Sequence, residues 1–204
     1  MSIKRIVINK ALIQSEAKKI YGEIYLSHEA ECALREITTI ERVRKHTKIL
    51  NNGEVCDFIG IVMKGLVQIY HKKGKKRVSD DFATEAYPFF DIDGFVNGKP
   101  SGVEIEALEQ TVYAKIDKKK LENLCEQYKD LDNLYNRILE HSLISYQDRL
   151  NLVLHLDAEE KYSHLEESRI GLTSRISSIN VASFIGVTQE TLCRIKAKMS
   201  DIIY

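Results

Sequence analysis

The sequence predicts an α+β chain in three parts: an N-terminal antiparallel β-roll of the jelly-roll type, a long helix, and a C-terminal helix-turn-helix. Three observations predict it. Between residues 39 and 116, short runs rich in β-branched and aromatic side chains alternate with glycine-bearing turns, the texture of a sandwich or barrel. Over residues 135–153, apolar side chains recur every three or four positions, as on one side of a helix. Over residues 176–199, two short amphipathic segments meet at Gly186, the layout of a helix-turn-helix.

Composition narrows the function classes. With 204 residues the chain has room for one large domain or two smaller ones, each with its own core. A formal net charge of zero argues against a protein that meets nucleic acid over its whole surface. The charge is unevenly placed, however. Within residues 169–199, Arg169, Arg175, Arg194, Lys196 and Lys198 stand against Glu190 alone, which fits local contact with phosphates. No apolar run is long enough to span a bilayer and no signal peptide is recognisable, so a cytoplasmic protein with no membrane partner is expected. Cys32, Cys56, Cys125 and Cys193 are scattered without a Cys-x-x-Cys pair, and the histidines are dispersed. No metal site and no cofactor are therefore expected. A glycine loop with a phosphate-binding lysine, a nucleophile elbow and zinc-ligand spacing are all missing, so the expectation is that the protein is not an enzyme.

Each element has its own local warrant. Up to about Arg35 the chain reads as helical, with Leu12, Ile13, Ala17 and Ile20 at helix-like spacing and Ser27 opening a second helix. Strands are expected at 40–43, 47–50, 58–63, 66–70, 77–82, 103–107 and 112–116. Between them lie Asn51-Asn52-Gly53, Lys64-Gly65, Lys73-Gly74-Lys75, Asp93-Gly94 and Asn97-Gly98-Lys99-Pro100, read as turns in which glycine supplies positive φ.

From residue 118 the pattern is helical again. Leu121, Leu124 and Tyr128 mark a short helix, and a longer one follows. On it Tyr135, Leu139, Leu143, Tyr146, Leu150 and Val153 form a row close to an a/d seam. Such a row either packs on its own β-roll or pairs with a second copy. Leu134, Ile138 and Leu152 form a second row available to face the roll. Residues 156–168 read as a further helix, with Asp157 as its cap and Glu159 and Glu160 near its positive end. A connector over 169–175 leads to the helix-turn-helix.

In that last motif Val181, Phe184 and Ile185 give the first helix an apolar face, and Thr188, Leu192, Ile195 and Met199 form the stripe that meets it. Gln189, Glu190, Cys193, Arg194 and Ala197 project to the other side. Ser177 or Ser178 is expected to cap the first helix and Thr188 the second; hydroxyls and unpaired N–H groups at helix starts suit phosphate oxygens.

The run Gly186-Val187-Thr188-Gln189-Glu190-Thr191-Leu192-Cys193-Arg194-Ile195 resembles the recognition helix of the Crp/Fnr superfamily of bacterial transcription regulators. That family writes a small residue, Ser or Thr, a variable position, Glu-Thr, an apolar residue, a spacer and Arg. The likeness continues, in order, over most of the chain. It implies a cyclic-nucleotide-binding-like sensor domain over 1–130, a dimerisation helix over 131–155 and a DNA-binding domain over 156–204. It further implies a homodimer joined through the Tyr135–Val153 row and reading a palindromic operator in double-stranded DNA. Base contacts fall to Gln189, Glu190 and Arg194 by this correspondence, with Ser177, Ser178, Thr188, Thr191, Lys196 and Lys198 completing the DNA surface. Glu190, one turn from Arg194, is placed to brace it. RNA polymerase is a further candidate partner.

Three departures from the family's pattern matter. Relatives that bind a cyclic nucleotide carry a Gly-Glu step and, further on, an Arg followed by Ser, Thr or Ala. Here Phe95 stands at the Glu position and Ser101 at the Arg position, and a hydroxyl cannot replace a bidentate guanidinium. The expectation is that the roll holds either an unidentified small-molecule effector near Phe95, Lys99, Ser101, Gly102 and Val103 or no ligand at all. Gln189 stands where many relatives are basic, so the target sequence should differ from theirs. Only five residues follow Met199, which leaves no room for most of the usual wing. The alternative reading is a cyclic-nucleotide-type ligand-binding or scaffold protein with a vestigial DNA-binding module.

Overall fold

The β-rich texture resolves into two four-stranded sheets. A computed structural model describes residues 10–74 and 76–202, without the side chains of 10–13 and 200–202. Expectations placed on the side chains of Leu12 and Ile13, on Lys75, on the side chains of 200–202 and on residues 203–204 lie outside the described residues. The first sheet has the order β1 (Thr38–Val43), β8 (Thr111–Asp117), β3 (Phe58–Lys64), β6 (Pro88–Phe89). Its pairings are antiparallel, with Ile40 opposite Ala114 and Ile59 opposite Ile116. The second has the order β2 (Lys48–Leu50), β7 (Val103–Ala107), β4 (Val67–Lys73), β5 (Lys76–Ala83). This is the antiparallel β-roll that the strand and turn pattern predicts.

One predicted turn is corrected. Asp93-Gly94 lies inside a short helix, α3 (Ile92–Asn97), because the Asp91 carboxylate accepts the Gly94 N–H at 3.1 Å and caps it. A Cβ on Gly94 would stand 2.7 Å from that carboxylate oxygen, so the glycine serves a close approach and not a positive φ. The chain leaves the helix at Gly98, in the left-handed region at φ 66°.

The described residues divide into two compact units, 10–68 with 82–141, and 69–74 and 76–81 with 142–202. In the first, α1 (Lys10–Tyr21), α2 (His28–Ile37), α4 (Lys118–Gln127) and the start of α5 (Lys129–His155) accompany the strands. Ser27 caps α2, accepting the Ala30 N–H at 3.3 Å. The core holds Phe58, Val62, Phe82, Phe89, Ile105 and Val112. Phe89 meets Tyr113 and Phe58 edge-on, at 5.2 and 6.4 Å between ring centres. The unit boundary falls within α5, whose Leu131 and Ile138 are buried with the roll.

The second unit holds the rest of α5, α6 (Ala158–Ser168), α7 (Leu172–Arg175), α8 (Ser178–Ile185), α9 (Gln189–Ile202) and the outer part of the β4–β5 hairpin. Asp157 caps α6 by accepting from Glu159 and Glu160 N–H, both at 2.9 Å, while the Glu160 side chain accepts the Asp157 N–H at 2.8 Å. That reciprocal pair is the capping box. The expected connector contains the one-turn helix α7, entered through Gly171 at φ 79°. Leu152, Leu165, Leu172, Val181, Ile185, Leu192 and Ile195 are buried together as this unit's core.

Candidate nucleic-acid interface

The two motif helices are set by their ends. Ser177 caps α8, its hydroxyl accepting the Asn180 N–H at 3.2 Å, and Ser178 is the first helical residue. Gly186 ends α8 in the left-handed region at φ 71°, and the following Val187 N–H returns to Ala182 O at 2.9 Å. That tight exit starts α9 two residues later, where Thr188 accepts the Thr191 N–H at 3.1 Å. The expected four-residue stripe is therefore shortened: Leu192 and Ile195 are buried and Met199 is half-buried, while Thr188 is exposed as the cap.

On the opposite side Gln189, Glu190, Cys193, Arg194 and Ala197 are all exposed. The expected Glu190–Arg194 ion pair is absent among the described residues. Arg194 thus presents its guanidinium outward without an internal carboxylate. The other basic residues are differently engaged. Lys198 Nζ lies 2.7 Å from both carboxylate oxygens of Glu159, and Lys196 stands over the Tyr162 ring at 5.5 Å. Burial, aided by the Glu166 carboxylate, pushes the Tyr162 phenol up to about 12. Arg169 bonds Asp81 at 3.0 Å and its side chain is only 16% exposed, so this charge is withdrawn from the surface.

The motif rests on a support that the sequence did not announce. The Ser183 hydroxyl on α8 accepts the Ser79 N–H at 2.9 Å and donates to Arg77 O at 3.2 Å, joining α8 to the β4–β5 hairpin. Arg149 on α5 donates from Nη2 to Ser79 O at 3.2 Å and lies over the Phe184 ring at 4.1 Å. Desolvation lowers the pKa of Arg149 against the pull of Asp80 and Asp81, and raises that of Asp80 despite His71 and Arg149.

The predicted apolar row on α5 splits in two. Leu143, Tyr146, Leu150 and Val153 are exposed at 69, 45, 56 and 41%, an uncovered stripe of large side chains. Leu139 is half-buried, and Tyr135 lies against Phe95 at 6.4 Å between rings. In the second row Ile138 and Leu152 are buried and Leu134 is half-buried.

The proposed effector segment is occupied with its own contacts. Phe95 is fully buried against Phe90, with ring centres 5.2 Å apart, and the Lys118 ammonium lies 5.2 Å from it. Lys99 is paired with Asp93 at 3.2 Å. Ser101 is buried, its hydroxyl accepting Val103 N–H at 3.1 Å and donating to Val103 O at 3.0 Å. Val103 is buried and Gly102 exposed. Strand β7 adds a pair that sequence reading passed over. Glu104 and Glu106 alternate on one face of the strand and are both buried. Lys48 bonds Glu104 and lies 3.1 Å from Glu106, and His46 Nδ1 is 3.0 Å from Glu106. Among the described residues no group of histidine, cysteine and carboxylate side chains is arranged to hold a metal ion.

The family profile described as "Cyclic nucleotide-binding domain" matches residues 40–128. No curated protein matches the sequence. Among solved structures the chain is similar to FixK2 from Bradyrhizobium japonicum, at 18% identity and a TM-score of 0.69, covering 81% of this chain and 85% of that one. It is similar to the c-di-GMP responsive global regulator CLP of Xanthomonas campestris, at 14% identity and a TM-score of 0.67, covering 86 and 92%. A transcriptional regulator of the Crp/Fnr family from Eubacterium rectale gives 15% identity and a TM-score of 0.64, covering 86 and 84%. Residues 40–128 thus match the cyclic nucleotide-binding domain profile, and the chain has the fold seen in the Crp/Fnr-family regulator and the other two structures.

Proposed function

We propose that the chain is a homodimeric transcription regulator that reads a palindromic operator through residues 188–199, under the control of a small-molecule effector bound in the β-roll. One observation carries the reading: α9 exposes Gln189, Glu190 and Arg194 on the side opposite its buried Leu192 and Ile195. Such side chains match the hydrogen-bonding edges of base pairs in the major groove. The exposed α5 row supplies a surface for the second copy, and two copies present two recognition helices to half-sites about 34 Å apart. The regulators of like fold support the same reading, and RNA polymerase is the partner it brings with it. No described helix is long and apolar enough to cross a membrane, which is compatible with work on DNA in the cytoplasm. No step of the proposal calls for catalysis.

The effector is not a cyclic nucleotide in this reading. Phe95 fills core space where a ribose contact would be needed, and Ser101 is tied to its own backbone.

Arg194→Ala tests the base-reading role. On an operator selected from random duplexes, affinity should fall about 5- to 150-fold, matching the loss of about 1–3 kcal/mol for one bidentate base contact. On a random duplex it should stay nearly unchanged. Fluorescence anisotropy on both duplexes checks it, and an equal loss on the two removes Arg194 from base reading. Lys196→Ala and Lys198→Ala should behave differently, weakening both duplexes alike and lowering the salt slope by about 1 each. Because the Lys198–Glu159 pair is exposed, its loss should change thermal stability little. A salt slope left unchanged by both variants would move the phosphate contacts elsewhere. Should the unsubstituted protein show no preference for any selected duplex, the ligand-binding reading with a vestigial DNA module takes its place.

A further inference from the structure

The roll-containing unit has a cavity of about 150 Å³ beside its N-terminal helices. Ala17 and Tyr21 of α1, Ala86 of the loop before β6, and Leu134, Tyr135 and Ile138 of α5 contribute to its wall. Close-packed interiors leave few voids larger than one water, and this one is several times a water's share of liquid volume, about 30 Å³. Nearly all of the surface facing it is carbon. The Tyr21 hydroxyl, the obvious polar group, donates to Ala86 O at 3.1 Å. Water needs two to four polar partners to settle in such a space, and the wall does not supply them.

A second observation points to the same place. Ala86 has φ 68°, a left-handed conformation that alanine rarely adopts. It is held there by its N–H to Val62 O at 2.8 Å and by the Tyr21 hydroxyl on its carbonyl. Backbone strain of this kind collects around ligand sites. Ile24, also in the wall, is 36% exposed, so the cavity wall reaches solvent beside the α1–α2 connection.

We infer that this cavity receives a small uncharged apolar molecule, an aromatic ring or short alkyl chain of about six to eight heavy atoms, the size that a void of this volume accepts. An anion or cation is disfavoured because, among the described residues, the wall has no charged group to pair with it. The site differs from the proposed effector segment: neither Lys99 nor Ser101 belongs to its wall. Its occupant touches α5 at Leu134, Tyr135 and Ile138, just before the exposed row begins at Leu143.

Calorimetry of the full chain with toluene, and with benzoate as the charged analogue of the same ring, tests the inference. Toluene should raise the unfolding temperature by about 3–5 °C at ten times its dissociation constant, and benzoate should not. Ala17→Leu, which fills part of the space, should remove the response to toluene. No toluene shift, an equal shift with benzoate, or an undiminished shift in folded Ala17→Leu overturns the site. If that variant does not fold, nuclear Overhauser contacts from toluene to the Tyr21 and Tyr135 rings of the unsubstituted protein decide; their absence overturns it equally.

Discussion

Leu143→Glu combined with Leu150→Glu is expected to turn a dimer into a monomer and to abolish tight operator binding. Both side chains are more than half exposed in the single chain, on a stripe shared with Tyr146 and Val153. Fully burying a leucine contributes about 1.5–3 kcal/mol, and with 69 and 56% of these two left to bury, removing both from each copy weakens a dimer by at least about 4 kcal/mol. That is about three orders of magnitude in its dissociation constant. Placing carboxylates opposite one another in the seam adds repulsion. Because neither leucine is in the single chain's core, the monomer should stay folded with an unchanged helical circular dichroism spectrum. Sedimentation velocity reads the mass and anisotropy reads the DNA. A variant that remains dimeric places the interface elsewhere; one that is monomeric yet binds a palindrome undiminished removes the two-helix reading of the operator.

What the sequence made legible was local. Residues 103–107 coincide with strand β7, and Asp157, Ser27, Ser177 and Thr188 cap the helices for which they were read. Caps and turns act over three or four positions, so their chemistry is written in adjacent letters. Failures came where a local signal had two meanings. Asp-Gly reads as a turn, yet Asp91, three residues before Gly94, captures that stretch for α3. Thr188 fits an apolar stripe by angle alone, but at a helix start its hydroxyl has a better use on Thr191 N–H.

The rest depended on distance along the chain. Arg149 bonds a carbonyl 70 residues away, and Lys48 meets a glutamate 56 residues on. Neither pairing leaves a mark in either segment, since the same side chains on an exposed surface would look identical. The outward face of α9 was legible because helical angle alone separates Arg194 from Leu192 and Ile195. The braced Glu190–Arg194 pair was not, because spacing permits such a pair without requiring it.

Arg149→Ala should lower the stability of the C-terminal unit by about 3 kcal/mol. The guanidinium is half-buried, lies over Phe184 and satisfies Ser79 O; its Nη1 has no hydrogen bond among the described residues. It therefore acts through stacking, one hydrogen bond and its charge beside Asp80 and Asp81. Removing the cation leaves the desolvated Asp80 with less compensating charge, which costs more than losing a surface pair. The loss should depend on pH. Asp80 already has its pKa raised by desolvation, with Arg149 among the groups opposing that rise. Without Arg149 the folded state holds the Asp80 proton more tightly still, so it binds more protons than the unfolded chain across an interval above about pH 4. Stability of the variant then falls as pH rises through that interval, and the gap from the unsubstituted protein is wider at pH 7.5 than at pH 4. Arg149→Met, which keeps an unbranched stem over Phe184, should recover the stacking part of the loss but not its pH dependence. Urea unfolding of the three proteins at both pH values measures this, and a gap independent of pH would assign the role of Arg149 to packing alone.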